Sequence, residues 1–251
     1  MDCLTETDLK ASGSRQKALH PSAAEATRAG FGRNVFVRAV VEVSNFCREN
    51  CAYCGMRRDN HTLHRYRARR EQIAELLLLH LPATVTDINI QSGEDPVVVR
   101  EVALPLLETL QRETSPGVSL CPGTLTPEVY DELQPAGAAI YIMKFEAADA
   151  SRYEAVHAPG TLMERLRHIH MLAARGWFVS SGFIAGLPGH SWRDLRADLE
   201  LARSLPLHGC SVSPFIPGDD TPLAEAPAGN SDWTFNGMAS PATRERASAT
   251  S

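Results

Sequence analysis

The sequence lacks the features that would assign it to several common classes of protein. It has no long run of basic residues and a net charge of −5, so we expect no nucleic-acid partner. No apolar stretch approaches the length of a membrane span. The N-terminus lacks the basic-then-apolar order of a signal peptide. Six cysteines in 251 residues do not suggest a disulfide framework. We therefore expect a cytoplasmic protein in a reducing compartment, without a membrane partner.

Between residues 34 and 223, short apolar runs rich in β-branched residues alternate with segments of helical periodicity. The predicted strands cover residues 35–44, 86–91, 118–121, 138–145, 177–184 and 209–215. The predicted helices cover residues 69–81, 97–114, 127–133, 161–175 and 192–204. Such alternation is typical of parallel strands joined by right-handed crossovers. We predict an α/β fold, a partial parallel (β/α)6 barrel of the TIM type. A doubly wound open sheet is the alternative.

The two ends of the chain differ in composition from this central region. Residues 1–33 are rich in small residues without a sustained period, so we expect a loose N-terminal arm. Residues 34–223 would form the core domain. Residues 224–251 are biased towards Pro, Ala, Ser and Thr, which predicts a disordered C-terminal tail.

Three cysteines, Cys47, Cys51 and Cys54, form the pattern CxxxCxxC directly after the first predicted strand. A structural zinc or an electron-transfer cluster normally has four protein ligands, and no fourth cysteine has suitable spacing. Three thiolates on one loop can hold a cubane iron–sulfur cluster by three corners and leave the fourth iron open, as in metal sites that perform chemistry. Zinc with His61 or His64 as the fourth ligand is the alternative, although both lie in a polar run without a second CxxC or HxxxH pattern.

Other unusual residue clusters also follow predicted strands. They are QSGED at 91–95, KFE at 144–146, GLPG at 186–189 and PFIP at 214–217. In a barrel of this type, active groups gather at the C-terminal ends of the strands. The clusters therefore predict a site on one rim, beside the cysteines. The arginines that follow the cysteine loop are interpreted as a solvated basic face: 57, 58, 65, 67, 69 and 70.

The cysteine loop, with Tyr53 before its last cysteine and Gly55 after it, resembles the signature of radical S-adenosylmethionine (SAM) enzymes. Together with QSGED and GLPG, residues 34–223 resemble the biotin-synthase-like branch, most like the HydE-type maturases of iron-only hydrogenases and also similar to methylornithine synthase. Full-length members of this branch resemble eight-stranded barrels, so the chain is expected to lack the last two β/α units. The shortened barrel has three possible explanations. The six-stranded core is sufficient for activity, a partner or an oligomer fills the gap, or the chain is a truncated inactive relative.

The resemblance implies that the three cysteines bind a 4Fe–4S cluster and that SAM chelates the open iron. One electron from the cluster would cleave SAM to a 5′-deoxyadenosyl radical, which attacks the substrate. The resemblance also implies a low-potential electron donor such as ferredoxin or flavodoxin. The substrate would be a small molecule or a metal complex, and the role would be hydrogenase cofactor maturation or a related biosynthetic step. A non-catalytic iron–sulfur or zinc scaffold is the alternative function.

Further site residues follow from the same resemblance. Ser92, Gly93 and Glu94 are this chain's version of the family's GGE motif and would accept hydrogen bonds from the methionyl ammonium group. Arg165 would hold the methionyl carboxylate, for which its forked cation is suited. Glu146 would pair with Arg165 or meet the cationic cofactor from the other side. The two residues implied to lie near the adenosyl group are Tyr53 and Gly186.

Overall fold

The computed structural model describes residues 4–114 and 116–240, and its centre is one sheet of six parallel strands. The strands are β1 Arg38–Ser44, β2 Asp87–Ser92, β3 Gly117–Cys121, β4 Ala138–Ile142, β5 Phe178–Ala185 and β6 Gly209–Pro214. They pair in chain order from β1 to β6, and every pairing is parallel. A doubly wound sheet requires a reversal of strand order, so that alternative is wrong. The partial TIM-like (β/α)6 prediction is confirmed.

The sheet curls along its width. A cavity of about 410 Å³ at the N-terminal ends of the strands is lined by Arg38 of β1 together with Ile140 of β4 and Gly209 of β6. Residues from the first and last strands therefore face one another across the curve. This curvature also brings the opposite, C-terminal strand ends onto a common rim.

Two helices precede β1, and at least one helix follows each strand. The helices are α1 Glu6–Leu9, α2 Gly13–Phe31, α3 Arg70–Leu79, α4 Pro96–Val98, α5 Leu104–Glu113, α6 Pro127–Leu133, α7 Ala150–Ala155, α8 Leu162–Ala174, α9 Trp192–Ser204 and α10 Ser231–Met238. A π-helical segment, Val99–Ala103, joins α4 to α5, where the sequence predicts one uninterrupted helix. None of the helices in the described ranges combines the length and apolarity needed to cross a bilayer.

The two faces of the sheet have different chemistry. One face is apolar and packs on the helices, as Ile90 of β2 and Leu106 of α5 do within one buried cluster. Alternate residues of each strand point to the other face, which is polar: the Asn89 side chain donates to the Ser119 hydroxyl at 3.0 Å. The interior of the curved sheet is therefore lined by hydrogen-bonding groups.

The terminal segments are more ordered than the sequence predicts. Residues 231–238 form α10, which follows β6 and packs against it. The Asn236 amide donates to the carbonyl oxygens of Leu9 at 3.1 Å and Ala11 at 2.9 Å, so α10 also holds the first helix. Helices form at residues 231–238 in the predicted tail and at residues 6–9 and 13–31 in the predicted arm, so these residues are neither disordered nor loose. Residues 1–3 and 241–251 lie outside the described residues, and the division into arm, core and tail domains stays a prediction.

Candidate metal and cofactor site

The three motif cysteines lie together in the loop that follows β1. Cys51 is buried, with 7% of its surface exposed, and Cys47 and Cys54 are half-buried. All three are free thiols. The Glu94 N–H donates to the Cys47 sulfur at 3.3 Å, and the Tyr53 hydroxyl hydrogen-bonds to the Cys51 sulfur. The loop is therefore in direct contact with the end of β2.

Burial controls the protonation of these thiols. It raises the pKa of Cys47 and Cys54, and it raises the pKa of Cys51 to about 12. The thiols consequently keep their protons at neutral pH in the metal-free protein. Because metals and clusters bind the thiolate form, loading this loop must release those protons.

Arg65 stabilises the conformation of the cysteine loop through hydrogen bonds to its backbone. Its guanidinium donates to the backbone carbonyl oxygens of Met56 at 2.8 Å, Arg57 at 2.6 Å and Asn60 at 3.1 Å, and also to that of Asn45. These carbonyls lie on both sides of the cysteine motif. Arg65 is therefore an organising residue of the loop, and its interpretation as part of a solvated basic face is wrong.

The geometry does not support the zinc alternative. His61 and His64 are both exposed. Among the residues that the structure describes, no group of three or more His, Cys, Asp and Glu side chains is arranged around a single metal ion. Zinc draws four ligand atoms to within roughly 2.0–2.3 Å of one centre, whereas a cubane cluster spreads its ligands over separate iron corners.

The segment after β2 approaches the cysteine loop very closely. A β-carbon on Gly93 would overlap the Phe46 carbonyl oxygen and lie 2.8 Å from the Cys47 β-carbon. A β-carbon on Gly123, whose φ is +82°, would overlap the Glu94 side chain. Both positions thus require the absence of a side chain. The sequence predicted a role for Gly93 but missed Gly123, which the Pro122-Gly123 turn signal after β3 indicated.

A buried ion pair lies beside this glycine contact. The Arg165 Nη2 is 3.0 Å from the Glu94 Oε1, with only 5% and 7% of the two side chains exposed. Arg48, which sequence reasoning missed, reaches the other Glu94 oxygen at 3.2 Å from a half-exposed position. Burial alone would lower the pKa of Arg165, but the carboxylates around it, chiefly Glu94, raise it, so the guanidinium stays charged.

Glu146 occupies an unusual position at the end of β4. Its φ is 61°, in the left-handed region that side-chain-bearing residues rarely adopt. Burial raises its pKa, and the charges of Lys144 and Arg165 oppose that shift. Within the described ranges no ion pair joins Glu146 to Arg165, so the direct pairing suggested from the sequence is replaced by the Arg165–Glu94 pair.

The remaining predicted residues lie at the same rim. Gly186 has a φ of +84° and begins the turn after β5, as the sequence predicts. The Tyr53 ring packs in a second, smaller apolar cluster that includes Phe215 and Leu223. Contact of Tyr53 or Gly186 with an adenosyl group stays a prediction. Sequence reasoning also missed the His190–Asp198 pair behind this turn.

Several buried polar atoms at the rim have no hydrogen-bond partner. They are the Ser92 Oγ, the Glu146 Oε2 and the Arg165 Nε. A buried polar atom without a partner costs free energy, so such atoms indicate a missing ligand. An amino acid-like group fits this set, because its carboxylate would accept from Arg165 and its ammonium would donate to Glu146. The residues present therefore suit both a cluster held by the cysteines and SAM beside it.

Exchanging Glu146 for glutamine tests whether its unfavourable burial serves a ligand. We expect Glu146→Gln to raise the Tm of the cofactor-free protein at neutral pH, because the neutral amide avoids burying a charge. The gain should shrink as the pH falls below the raised pKa of folded Glu146, and it should vanish below the ordinary carboxyl pKa, where Glu146 is protonated in the folded and unfolded states alike. We also expect weaker SAM binding by the cluster-loaded protein, by roughly tenfold.

Scanning calorimetry and equilibrium dialysis measure these two effects. Glu200→Gln, on the exposed face of α9, is the matched control and should change neither. A lower Tm together with unchanged SAM binding would show that Glu146 is a structural residue instead.

Comparison with known proteins gives consistent matches. A model of the Radical SAM superfamily matches residues 41–202. The FeFe-hydrogenase maturase subunit HydE of Thermotoga maritima is 34% identical over 223 residues, which is 89% of this chain and 64% of that protein. The 3-methylornithine synthase of Methanosarcina acetivorans is 23% identical over 198 residues, covering 77% of this chain and 55% of that protein. The chain thus spans less than two thirds of the length of these relatives.

A solved structure extends the match to the fold. The crystal structure of methylornithine synthase (PylB) superposes with a TM-score of 0.81 at 20% identity and covers 97% of this chain and 71% of that one. At this identity the likeness concerns the fold alone. These comparisons confirm the resemblance predicted from the cysteine loop and the QSGED and GLPG segments.

Proposed function

The chain is a member of the radical SAM superfamily, and from that premise we propose that it is an enzyme that cleaves SAM reductively. The family's cofactors are a 4Fe–4S cluster and SAM. We assign the cluster to Cys47, Cys51 and Cys54. We assign SAM to the rim beside them, between the ends of β2, β4 and β5.

One observation carries the proposal. The loop with three free thiols lies beside buried polar atoms that lack partners, on Ser92, Glu146 and Arg165. When bound, the cofactors supply one-electron cleavage of a sulfonium carbon–sulfur bond and so start radical chemistry on a substrate. The protein's own part is to bind and orient: Arg165 presents a fixed cation to a carboxylate, and Glu146 presents an acceptor to an ammonium group.

The site also has an apolar side. A buried apolar cluster includes Ala147, the residue after Glu146, with Tyr153, Ile184 and Phe215 among its other members. A dry environment strengthens the electrostatic contacts of the ligand and protects reactive species from side reactions.

The more specific role that we propose is maturation of a hydrogenase cofactor or a related biosynthetic step. The 34% identity to HydE supports it. The proposal includes a low-potential electron donor such as ferredoxin or flavodoxin, because cleavage requires an electron from outside. It also includes a reducing compartment, since the three cysteines must remain free to bind iron.

Anaerobic reconstitution with iron and sulfide, followed by SAM and a strong reductant, tests the general activity. We expect a brown protein that releases 5′-deoxyadenosine. The reaction without reductant and the Cys54→Ala variant are the controls, and neither should release it. A colourless protein, or an iron–sulfur protein that leaves SAM intact, would contradict the proposal.

The maturase role needs a separate experiment. We expect this protein, expressed in place of HydE beside an FeFe hydrogenase and its other maturases, to restore hydrogen evolution. Release of 5′-deoxyadenosine without any hydrogen evolution would contradict the specific role while leaving the general one intact.

A further inference from the structure

A histidine–aspartate pair lies buried behind the rim, outside the set of residues assigned to cofactors. The His190 Nε2 is 3.0 Å from the Asp198 Oδ2, and the side chains are 1% and 2% exposed. His190 follows the turn after β5, and Asp198 lies on α9. The ring of Trp233, on α10, is 5.7 Å from the imidazole and covers it.

The hydrogen bonds fix which nitrogen of His190 carries the proton. The Gly186 N–H donates to the His190 Nδ1 at 3.1 Å, so Nδ1 must be an acceptor without a proton. The proton is then on Nε2, which donates to the Asp198 carboxylate. The two hydrogen bonds therefore define the tautomer of the His190 imidazole, which lies between a backbone N–H and a carboxylate.

Asp198 has a second contact on the other side. Its Oδ1 accepts from the Ala148 N–H at 2.7 Å. Ala148 is two residues after Glu146. On the other side of the pair, His190 accepts from the Gly186 N–H. A single buried carboxylate thus connects the loop after β4 with the loop after β5.

Both connected loops contain a residue of positive φ. The φ of Glu146 is 61° and that of Gly186 is 84°. Glycine adopts such a conformation readily, but for Glu146 it is unfavourable and persists only where surrounding contacts determine it. The Asp198–His190 pair accepts hydrogen bonds from the backbone two residues after Glu146 and from Gly186 itself.

We propose that Asp198 and His190 are positioning residues that hold the Glu146 and Gly186 loops at the separation that SAM requires. This inference rests on the proposed function, because it assigns SAM to the space between these loops. Neither residue touches the cofactor; each acts through the backbone. An apolar pair in this place would leave the Gly186 and Ala148 N–H groups without acceptors.

Asp198→Asn is the sharpest test because it keeps the size of the side chain. Asp198 accepts from Ala148 with one carboxylate oxygen and from His190 with the other. The asparagine amide has only one oxygen, so its NH2 group must face one of these two donors. If the NH2 group faces His190, the imidazole proton must move to Nδ1, and the Gly186 N–H loses its acceptor. If the NH2 group faces Ala148, the Ala148 N–H loses its acceptor instead. Glu200→Gln, on the exposed face of the same helix, is the matched control for loss of a carboxylate.

Two measurements on the cofactor-free protein come first. Nitrogen-15 NMR should show His190 protonated at Nε2, with its signals assigned by their loss in His190→Gln. Hydrogen exchange at the Gly186 or the Ala148 amide should accelerate by roughly tenfold or more in Asp198→Asn, but at neither in Glu200→Gln. A proton on Nδ1, or unchanged exchange at both amides, would overturn the inference.

The third measurement is SAM affinity of the cluster-loaded protein. We expect Asp198→Asn to raise the Kd for SAM by roughly tenfold or more, with unchanged iron content. A Kd within about twofold of the parent value would overturn the inference, since it would make the pair purely structural. If the parent protein binds no SAM, the proposed function fails, and the exchange experiment still decides whether the pair holds the two loops.

Discussion

Replacing Cys51 by alanine is expected to abolish binding of the cluster. Cys51 is the most buried of the three motif cysteines, and burial raises its pKa to about 12. Its thiol is therefore inert until iron displaces the proton, after which it would supply one of only three protein ligands. Two remaining thiolates cannot hold three corners of a cubane. We expect the reconstituted variant to stay colourless and to contain iron at background level.

Cys210→Ala is the matched control for this change. Cys210 is a half-buried cysteine on β6, outside the cysteine loop, and its loss should leave the iron content of the reconstituted protein unchanged. Iron and acid-labile sulfide assays, together with the visible absorption of the cluster, give the comparison. If Cys51→Ala retains as much iron and sulfide as Cys210→Ala, the assignment of the ligands is wrong.

Replacing Arg165 by methionine is expected to destabilise the cofactor-free protein by about 3 kcal/mol or more. The reason is the charge that remains: Glu94 would stay buried, at 7% exposure, without its closest cation. Arg48 still reaches Glu94 at 3.2 Å and offsets part of the cost, which places the expected loss near the lower end for a broken buried pair. Urea unfolding gives the free energy directly.

Arg48→Met offers a matched comparison, because both arginines contact the same carboxylate. Arg48 is 50% exposed, so its removal should cost about 1 kcal/mol or less. Equal losses in the two variants would contradict the view that burial sets the strength of the Arg165–Glu94 pair. We also expect Arg165→Met, but not Arg48→Met, to lose SAM binding in the cluster-loaded protein.

Local signals in the sequence were sufficient for most of the fold. The capping box of Thr161 and Glu164 predicted the start of α8, which begins at Leu162. The helix predicted at residues 192–204 is α9, Trp192–Ser204. Both helices are specified by contacts within a few residues of chain, where sequence patterns carry the relevant physics.

The order of the terminal segments could not be predicted from local sequence patterns. The segment that becomes α10 has little apolar periodicity, and its order depends on residues far away in the chain. Asn236 is buried against the backbone of Leu9, 227 residues earlier. No local pattern encodes a contact of that separation, so composition alone predicted disorder.

The same distinction applies to the site. The sequence places the cysteine loop, Glu94, Glu146 and Gly186 at one rim because the ends of parallel strands must gather there. It does not predict that Arg165 pairs with Glu94, because the choice of partner depends on side-chain directions in the folded protein. The hydrogen bonds from Arg65 to backbone carbonyl groups could not be predicted for the same reason.

The order of the strands also has a consequence for how the chain folds. Each strand pairs only with the strands next to it in the chain. We therefore expect the sheet to grow by one β/α unit at a time, because each step closes a loop of modest length. The contact between Asn236 and Leu9 is different, since it joins the two extremes of the described chain. We expect that contact to form last, after the sheet is complete, and stopped-flow experiments with a fluorescent label near Leu9 should resolve it as a separate late phase.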